Sequence, residues 1–409
     1  MTITASRPAP VTVPAFSTPG RCTLCCGSHI RCVLDLGEQP LANGLLSSAA
    51  EVAPRFPLRL GYCEGCGHVE LMDRVPPEAM FGTYVYRTGA SAPMVAHFTE
   101  LAAQVSHRLS VVDPGWVCEI GSNDGTFLRA LRGQGFAEEE VIGVDPCSVA
   151  RGEQFTVHRY FGTLVAEQLR DSYGPAACVV ACNVLAHCPQ PTALLKAAHG
   201  LLARNGLLVL EVPYLRDMVD SLTWDQVYHE HHSVFSAQIL ARLLTVTGFV
   251  AEQVERLSVH GGSLRVWARA VSNIQQHSPC PEWHALQEQE WRSPVDWERF
   301  GADVERHATR LRELCGGAER LIGYGAPAKA TVLLNYAGIK PTALFDTTPE
   351  KAGRYVPGVN APILPMDEIR DHRPDRALLL AWNYQDAILA RETWLHGKWV
   401  IPFPVPRTA

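Results

Sequence analysis

The chain has 409 residues, is 47% hydrophobic and 19% charged, and carries a net charge of -6 at pH 7. This length predicts two or three domains, and the composition is typical of a soluble globular protein and excludes a disordered or fibrous chain. The negative charge and the lack of a basic run disfavour non-specific nucleic-acid binding, and no apolar stretch reaches the roughly 18 residues of a membrane span.

Residues 1–20 are rich in Pro, Thr, Ser and Ala, and they lack the charged start and apolar centre of a signal peptide. We therefore expect a disordered tail at this end. Of the 13 cysteines, most lie singly in apolar segments, as Cys118 and Cys178 do. Such cysteines are typical of reduced thiols in a protein core, and they indicate a cytoplasmic protein.

Two Cys-x-x-Cys motifs near the N-terminus supply Cys22, Cys25, Cys63 and Cys66. A pair of such motifs provides the four thiolates of a tetrahedral zinc site, and four cysteine ligands leave no open position, so we expect one structural zinc ion. Cys26 offers another register, but only the pair Cys22 and Cys25 repeats the spacing of the second motif. A disulfide pair and a redox motif are the alternatives, which a reducing compartment and the duplication disfavour.

Two polar segments come next in the chain. Residues 36–44 are turn-rich and carry a polar side chain at Asn43, whereas residues 81–91 are rich in aromatic and hydroxyl groups, among them Tyr84 and Tyr86. The two tyrosines are candidates for lining a pocket, although an ordinary connecting loop explains them as well. The periodicity of residues 93–109 predicts an amphipathic helix leading into the next domain.

The following segment has the order strand, glycine turn, helix. An apolar strand over residues 116–120 runs into the turn 121–125, and a helix is predicted from Thr126. A second strand ends in Asp145, where a carboxylate would meet the ribose of a bound nucleotide. Apolar strands over residues 177–182 and 207–211 follow, which predicts an α/β fold with a doubly wound parallel sheet.

The turn after the first of these strands departs from the usual dinucleotide fingerprint, because Asn123 and Asp124 lie in its middle. A carboxylate there is unfavourable beside a pyrophosphate, but it suits a cationic or amine-bearing ligand. S-adenosylmethionine, which has a sulfonium and an amino group, therefore fits better than NAD.

A run of proton-handling side chains, residues 228–232, follows the fourth strand. Ligands bind at the carboxyl edge of such a sheet, so we expect the run to lie there. A histidine can act as a base near neutral pH, a carboxylate can fix its tautomer, and a tyrosine hydroxyl can hydrogen-bond an oxyanion. A solvated loop and a metal site are alternatives, although the His-Glu-x-x-His spacing of zinc hydrolases is absent. Further on, Gly261 and Gly262 indicate either close approach to a ligand or a hairpin turn.

Residues 283–314 have helical periodicity, with Pro294 as an interruption. The segment Gly323-x-Gly325-x-x-Ala328 then matches the dinucleotide fingerprint, and Asp346 occupies the usual acid position after the next strand.

A helix that begins at this second turn can hold a pyrophosphate through its backbone N–H groups, with Lys329 adding a charge. By itself the unit favours NAD as much as any other nucleotide. A last strand over residues 377–381 ends in Trp382 and Asn383, again at a sheet edge.

Together these motifs resemble the sugar C-methyltransferases of deoxysugar biosynthesis, which act on nucleotide-linked 4-keto sugars. The resemblance covers the chain from Cys22 to about Pro404. It rests on the paired cysteine motifs and on the segments 40–43, 119–125, 183–187, 228–231, 260–266, 323–329 and 381–383. The segments 224–227 and 87–91 depart from the usual family pattern near the expected sugar pocket, which leaves the identity of the sugar open.

The resemblance implies three domains after the tail. They are a zinc-binding domain (21–80), a class I S-adenosylmethionine-dependent methyltransferase domain with a Rossmann-like fold (81–270), and a C-terminal Rossmann-like domain (271–409) that helps hold a dTDP-sugar. We expect a monomer that methylates a carbon next to the ketone, C-3 in preference to C-5, through an enolate. An NAD-dependent sugar-nucleotide oxidoreductase using the Gly323 turn, a metal-dependent hydrolase and a non-catalytic zinc scaffold are the alternatives.

The resemblance also implies roles for particular residues. His231 is the expected base, Tyr228 or His187 the donor to the enolate oxygen, and Glu230 a residue that orients a histidine or contacts the sugar. The expected cofactor-binding residues are Gly121, Asn123, Asp124, Asp145, Asn183 and Tyr86. The expected substrate-binding residues are Tyr84, Gly262, Ser263, Lys329, Trp382 and Asn383.

Overall fold

The computed structural model describes residues 20–76, 80, 87–110, 115–147, 149–150 and 155–409. Tyr84, Tyr86 and residues 1–19 of the expected tail lie outside the described residues. The described chain contains three sheets, of four, seven and six strands. Among the described residues, no helix combines the length and apolar character needed to cross a bilayer.

The N-terminal sheet is antiparallel and has the order β1-β2-β3-β9. Its strands are β1 (Ile30–Pro40), β2 (Arg55–Cys63), β3 (Val69–Leu71) and β9 (Ser233–Val234). β9 comes from the middle of the chain and immediately follows the run 228–232, so the N-terminal sheet is built partly from the segment that carries the expected catalytic residues.

The central sheet has the order β10-β11-β8-β7-β4-β5-β6. Its strands are β4 (Val117–Ile120), β5 (Val141–Val144), β6 (Thr156–Val157), β7 (Ala176–Cys182), β8 (Leu202–Pro213), β10 (Phe249–Leu257) and β11 (Ser263–Ala270). The predicted parallel core, β4 to β8, is confirmed. β10 and β11 extend it as an antiparallel hairpin, so the Gly261-Gly262 pair lies in a hairpin connection.

Helices cover both faces of the central sheet. They are α1 (Ala92–Ser110), α2 (Thr126–Gly133), α3 (Thr163–Tyr173), α4 (Pro191–Leu201) and α6 (Ala237–Val246), whereas α5 (Leu215–Asp220) follows β8 and packs with the N- and C-terminal units. The predicted helix over 93–109 is α1, whose buried Phe98, Leu101 and Val105 recur at helical spacing and pack with Val117 of β4. This pattern makes one stripe of the helix apolar and directs it onto the sheet.

The C-terminal sheet has the order β14-β13-β12-β15-β16-β17. Its strands are β12 (Leu321–Tyr324), β13 (Ala343–Asp346), β14 (Ile363–Pro365), β15 (Arg376–Leu379), β16 (Trp399–Ile401) and β17 (Arg407–Thr408). The accompanying helices are α8 (Trp297–Cys315), α9 (Ala328–Ala337) and α10 (Gln385–Arg391), whereas α7 (Pro281–Arg292) packs through Trp283 against α6 and β10 of the central unit. The expected interruption at Pro294 is confirmed, since Pro lacks the N–H that would continue a helix.

One apolar cluster joins the N-terminal sheet to the C-terminal unit. Leu58 of β2, Val304 of α8 and Leu333 of α9 belong to it, and all are fully buried. Trp224, just before the run 228–232, is fully buried in the same cluster and packs edge-on against Tyr336. The N-terminal sheet and the C-terminal unit therefore share a core with the segment that leads from β8 of the central sheet to the run 228–232.

Candidate active site

A cavity of about 740 Å³ lies between the carboxyl edges of the central and C-terminal sheets. Its wall includes the loops after β4, β5, β7 and β8 on one side and those after β12, β13 and β15 on the other. Parallel strands end at a common edge, and their following loops converge there, which is why ligands bind at this position in α/β sheets.

The loop after β4 forms one end of the cavity through Gly121 and Asn123. Gly121 has φ +74°, and a Cβ there would lie 2.4 Å from the Cγ2 of Val184. Only glycine fits this position without strain. Asn123 and Asn183 also have positive φ, of 49° and 56°, and Asn183 lines the cavity as well.

Asp145 lies at the end of β5 and holds the loop after β4 in place. Its Oδ2 accepts the backbone N–H of Asn123 at 2.8 Å, and its Oδ1 accepts that of Cys147 at 2.7 Å. A carboxylate offers about four acceptor positions, so both oxygens can still accept from the hydroxyls of a ribose. The acceptor pair and the tight glycine turn at one cavity end fit the adenosine part of S-adenosylmethionine.

Asp124 is turned away from the cavity wall, contrary to its expected contact with the cofactor. Its Oδ1 accepts the hydroxyl of Thr126 at 2.6 Å, and its Oδ2 accepts the backbone N–H of Gly89 at 2.9 Å. The side chain therefore ties the start of α2 to the segment preceding α1. Both oxygens of this short side chain already accept hydrogen bonds from nearby donors, and these bonds hold the carboxylate away from the cavity.

His231 and Tyr228 line the cavity and bond to each other. The Nδ1 of His231 lies 2.7 Å from the backbone carbonyl oxygen of Gln226, and its Nε2 lies 2.9 Å from the hydroxyl of Tyr228. Because a carbonyl can only accept, Nδ1 carries the proton and the lone pair of Nε2 accepts from the tyrosine. Burial, reinforced by nearby His187, holds the pKa of His231 well below its usual value. The imidazole is therefore neutral near pH 7.

His187 and Glu230 complete this cluster. The ring of His187 lies edge-on to that of His231 at 4.8 Å, and burial lowers its pKa to about 4. Its imidazole hydrogen-bonds the backbone of Glu230. The Glu230 carboxyl does not bond a histidine in the described structure but accepts from Asn43 at 2.7 Å. Burial raises the pKa of Glu230 to about 7, against the opposing effect of the Asn43 donor.

The two remaining histidines of the run face the N-terminal sheet. The Nε2 of His229 lies 3.2 Å from the carbonyl oxygen of Pro57, and the carbonyl oxygen of His232 accepts the backbone N–H of Leu71. The chain turns within the run, since the backbone N–H of His231 donates to the carbonyl of Tyr228 at 2.9 Å, and this turn separates His229 from His231.

Lys329 and Asn383 line the cavity from the C-terminal unit. The Nζ of Lys329 lies 3.5 Å from the ring centroid of Trp382, whose indole N–H donates to Asp225 at 2.7 Å. Burial, opposed by the charge of Asp225, lowers the pKa of Lys329 to about 8. Burial raises the pKa of Asp225 to about 6, and Lys329 acts in the opposite direction. Trp382 thus lies behind the cavity wall and supports Lys329.

Gly262 and Ser263 are absent from the cavity wall in the described part of the chain. A Cβ at Gly262 would lie 2.2 Å from the Cβ of Asp217, and the hydroxyl of Ser263 donates to the carbonyl of Val259. Their hairpin instead brings His260, with φ +55°, to the cavity. Asn43 and Gln226 also line the cavity. Sequence reasoning did not assign Asn43, His260 or Gln226. Asn43 and His260 lie inside motifs of the resemblance, whereas Gln226 lies in the segment 224–227, which departs from the family pattern.

The four expected zinc ligands, Cys22, Cys25, Cys63 and Cys66, converge, with all four Sγ atoms within 4.8 Å of one another. The Cys22–Cys66 and Cys25–Cys63 Sγ separations are 3.6 and 3.5 Å. A tetrahedral zinc site with Zn–S bonds of about 2.3 Å has sulfurs about 3.8 Å apart, so the cluster fits the ion. The backbone N–H groups of Leu24 and Gly27 point at the sulfurs of Cys22 and Cys25, as expected for thiolates.

Three family models match the chain in succession: a zinc binding domain over residues 22–81, a methyltransferase domain over 94–254 and a C-methyltransferase C-terminal domain over 258–404. C-methyltransferase NovU from Streptomyces niveus is 31% identical over 406 residues, which are 94% of this chain and 96% of NovU.

Two solved structures show weaker likeness. Magnesium protoporphyrin IX methyltransferase from Synechocystis is 20% identical, with 43% of this chain and 80% of that chain covered and a TM-score of 0.31. An O-methyltransferase family protein from Burkholderia thailandensis is 16% identical, with 44% and 58% covered and a TM-score of 0.32. The domain matches and the nearly full-length similarity to NovU show that the chain belongs to the C-methyltransferase family, as an S-adenosylmethionine-dependent enzyme with a zinc-binding N-terminal domain.

Proposed function

We propose that the enzyme methylates a carbon next to the ketone of a dTDP-4-keto-deoxysugar, with C-3 as the expected position, in deoxysugar biosynthesis of the kind that serves antibiotics. The observation that carries this proposal is the neutral His231, whose Nε2 lone pair faces Tyr228 in the cavity. A base and an acidic O–H beside each other are what the formation of an enolate requires.

His231 would remove the proton from the carbon next to the ketone. Because its Nδ1 proton is held by the Gln226 carbonyl, the basic lone pair lies on Nε2, on the side that faces the cavity. The low pKa keeps that lone pair unprotonated at neutral pH, and the hydrogen bond fixes the ring without supplying a charge. The proton then leaves the sugar for Nε2, and its electron pair stays on the sugar as the enolate.

Tyr228 fits the role of donor to the enolate oxygen better than His187. Its hydroxyl is the group next to the base, and it can rotate from Nε2 to an oxygen of the sugar. A neutral His187 has a single N–H, which its bond to the backbone of Glu230 already uses, so its second nitrogen can only accept. Donors of this type contribute about 3 kcal/mol to stabilisation of an oxyanion transition state.

S-adenosylmethionine, when bound, supplies a methyl group whose bond to sulfur breaks as the new carbon–carbon bond forms. For the adenosine part we propose Gly121, Asn123, Asp145 and Asn183 as the binding residues. They lie in the loops after β4, β5 and β7 of the central sheet, whereas Lys329 belongs to the C-terminal unit, and the proposed base lines the same cavity. Such an arrangement favours direct transfer between two held reactants, which needs near-attack geometry and no covalent intermediate.

For the dTDP part we propose Lys329 and Asn383, together with the N-terminus of α9. Lys329 places a positive charge at the cavity wall, and the N–H groups that begin a helix favour an anionic phosphate.

The NAD alternative is disfavoured by Asp346, whose Oδ2 lies 3.3 Å from the ammonium of Lys351 and accepts the Ala326 N–H. A ribose of NAD would have to compete with these partners.

The test is incubation with S-adenosylmethionine carrying a ¹³C-methyl group and a dTDP-4-keto-6-deoxyhexose, followed by NMR of the product. We expect a methyl carbon bonded to C-3 of the sugar. A methyl group at C-5 would correct the position, and a methyl group on oxygen would overturn the enolate mechanism. In D₂O without S-adenosylmethionine, the native enzyme should exchange the C-3 proton, whereas His231→Asn should not.

A further inference from the structure

The turn that connects β1 to β2 reaches the catalytic cluster from the zinc-binding unit. Asn43 in this turn lines the cavity, and its Nδ2 donates to the Oε1 of Glu230 at 2.7 Å across 187 positions of sequence. Neither the zinc site nor the proposed reaction so far accounts for this residue.

The position of Asn43 is held from two sides. Within the turn, the backbone N–H of Gly44 donates to the carbonyl of Leu41 at 3.1 Å. From the C-terminal unit, the hydroxyl of Thr331 on α9 donates to the carbonyl of Ala42 at 3.0 Å. A side chain on a turn that is anchored in this way is preorganised, so little conformational entropy is lost when it holds a partner.

Glu230 depends on this contact. Its side chain is 2% exposed, and among the described residues its Oε2 has no hydrogen-bond partner. Asn43 therefore supplies the hydrogen bond that the buried carboxyl makes in the described structure. Glu230 lies between Tyr228 and His231 in the chain and directly precedes His231. Displacement of the Glu230 carboxyl would therefore disturb the proposed base.

We propose that Asn43 is a positioning residue of the active site, supplied by the zinc-binding unit, whose amide fixes the Glu230 carboxyl beside the Tyr228–His231 pair. This inference rests on the proposed role of that pair. It makes the N-terminal unit a part of the active site, because the zinc-bound sheet carries both the Asn43 turn and β9, which directly follows the catalytic run.

The kinetic test compares Asn43→Ala, Glu230→Gln and the double variant, with Asn360→Ala as control. The control also removes an amide donor to the β1–β2 connection, since Asn360 donates to the carbonyl of Ala49 at 2.8 Å. We expect each active-site variant to lower kcat/KM by about 10- to 100-fold, the range for a hydrogen bond to a charged group. The double variant should lose no more than Glu230→Gln alone, because Asn43 acts through Glu230.

A second measurement is independent of turnover: titration of the Glu230 carboxyl by NMR of protein with ¹³C-labelled glutamate, assigned with Glu230→Gln. The titratable groups nearby are His187, His231 and Cys147, and both histidines are neutral near pH 7. Loss of the Asn43 donor should therefore raise the pKa of Glu230 from its native value of about 7.

An unchanged pKa of Glu230 in Asn43→Ala would overturn the inference. This outcome does not depend on whether the enzyme methylates a sugar. Losses in kcat/KM that multiply in the double variant would overturn the inference as well. A native enzyme that methylates no 4-keto sugar, but whose Glu230 titration responds to Asn43→Ala, would overturn the proposed function and leave the positioning contact supported.

Discussion

The indole N–H of Trp382 donates to the carboxylate of Asp225 at 2.7 Å and thereby joins the C-terminal unit to the segment that carries the proposed base, His231. Asp225 is fully buried, and the next residue, Gln226, offers the carbonyl that orients His231. The same indole ring lies under the ammonium of Lys329. One side chain thus contacts the support of the proposed base and the proposed phosphate-binding charge.

Replacing Trp382 with Phe keeps an aromatic face for Lys329 but removes the N–H, so a buried oxygen of Asp225 loses its partner. We expect unfolding free energy to fall by about 1–3 kcal/mol, the cost of an unsatisfied buried polar group. Urea unfolding measures this change. Trp394→Phe is the control, because it removes an indole bond to Glu392 at 2.9 Å from an only partly buried site. An equal effect of both variants would contradict a special role for the Asp225 contact.

Lys329→Met should weaken binding of dTDP by about 10- to 100-fold, because it removes a charge-assisted hydrogen bond to a phosphate while keeping the length of the side chain. Calorimetric titration with dTDP and, separately, with S-adenosylmethionine measures both sites. The affinity for S-adenosylmethionine should stay unchanged, since Lys329 belongs to the C-terminal unit and the proposed cofactor residues follow strands of the central sheet. Lys340→Met removes an exposed lysine and serves as the control. Equal dTDP affinity in native enzyme and Lys329→Met would place the phosphates elsewhere.

Tyr228→Phe should lower kcat by about 10²- to 10³-fold, as the loss of an oxyanion donor does, with a much smaller change in KM. His187→Asn should have a smaller effect on kcat, because the neutral ring is held by the Glu230 backbone. Steady-state methyl transfer at saturating S-adenosylmethionine compares the two variants. The reverse order of effects would assign the donor role to His187.

Removal of zinc should abolish methyl transfer although the four thiolates lie outside the cavity wall. β3 follows the second cysteine motif and pairs with β9, and Thr23 between two ligands bonds Glu70 of β3. Loss of the ion should loosen this sheet and, with it, the segment before β9. Cys63→Ser should contain less than one zinc per chain by metal analysis. Cys26→Ser, at an exposed position, should keep the ion, and zinc loss there would show that the ligand register is wrong.

Acid should destabilise the fold through buried neutral histidines. Burial lowers the pKa of His307 to about 4, whereas an unfolded histidine takes up its proton near pH 6.5. Between these values the unfolded state binds more protons, so the stability is fully present above about pH 6.5 and falls as the pH drops towards 4. Urea unfolding from pH 7.5 to 4.5 should show a shallower loss in His307→Gln, since Gln can replace the bonds to Trp224 and Pro402. The exposed His284→Gln is the control, and equal slopes in both variants would contradict this account.

Much of the architecture follows from local sequence. The spacing of Cys22, Cys25, Cys63 and Cys66 defines a chelate because only a few backbone conformations place two thiolates of such a motif on one ion. The order of strand, glycine turn and acid identifies the turn at Gly121 and the acid at Asp145, since strand, turn and acid all lie within one βαβ unit. The break at Pro294 is likewise a local effect of a missing N–H.

The sequence did not predict the contacts between units that are distant in the chain. Nothing local to Asn43 indicates that its amide meets Glu230, and nothing local to Trp382 indicates that its ring lies behind the cavity wall. The partners of Asp124 were only partly local, because Thr126 lies two positions along the chain but the N–H of Gly89 comes from the segment before α1. Periodicity and spacing report which side chains share a face or a loop. Which faces then meet depends on how the three sheets pack, and that packing decided which residues line the cavity.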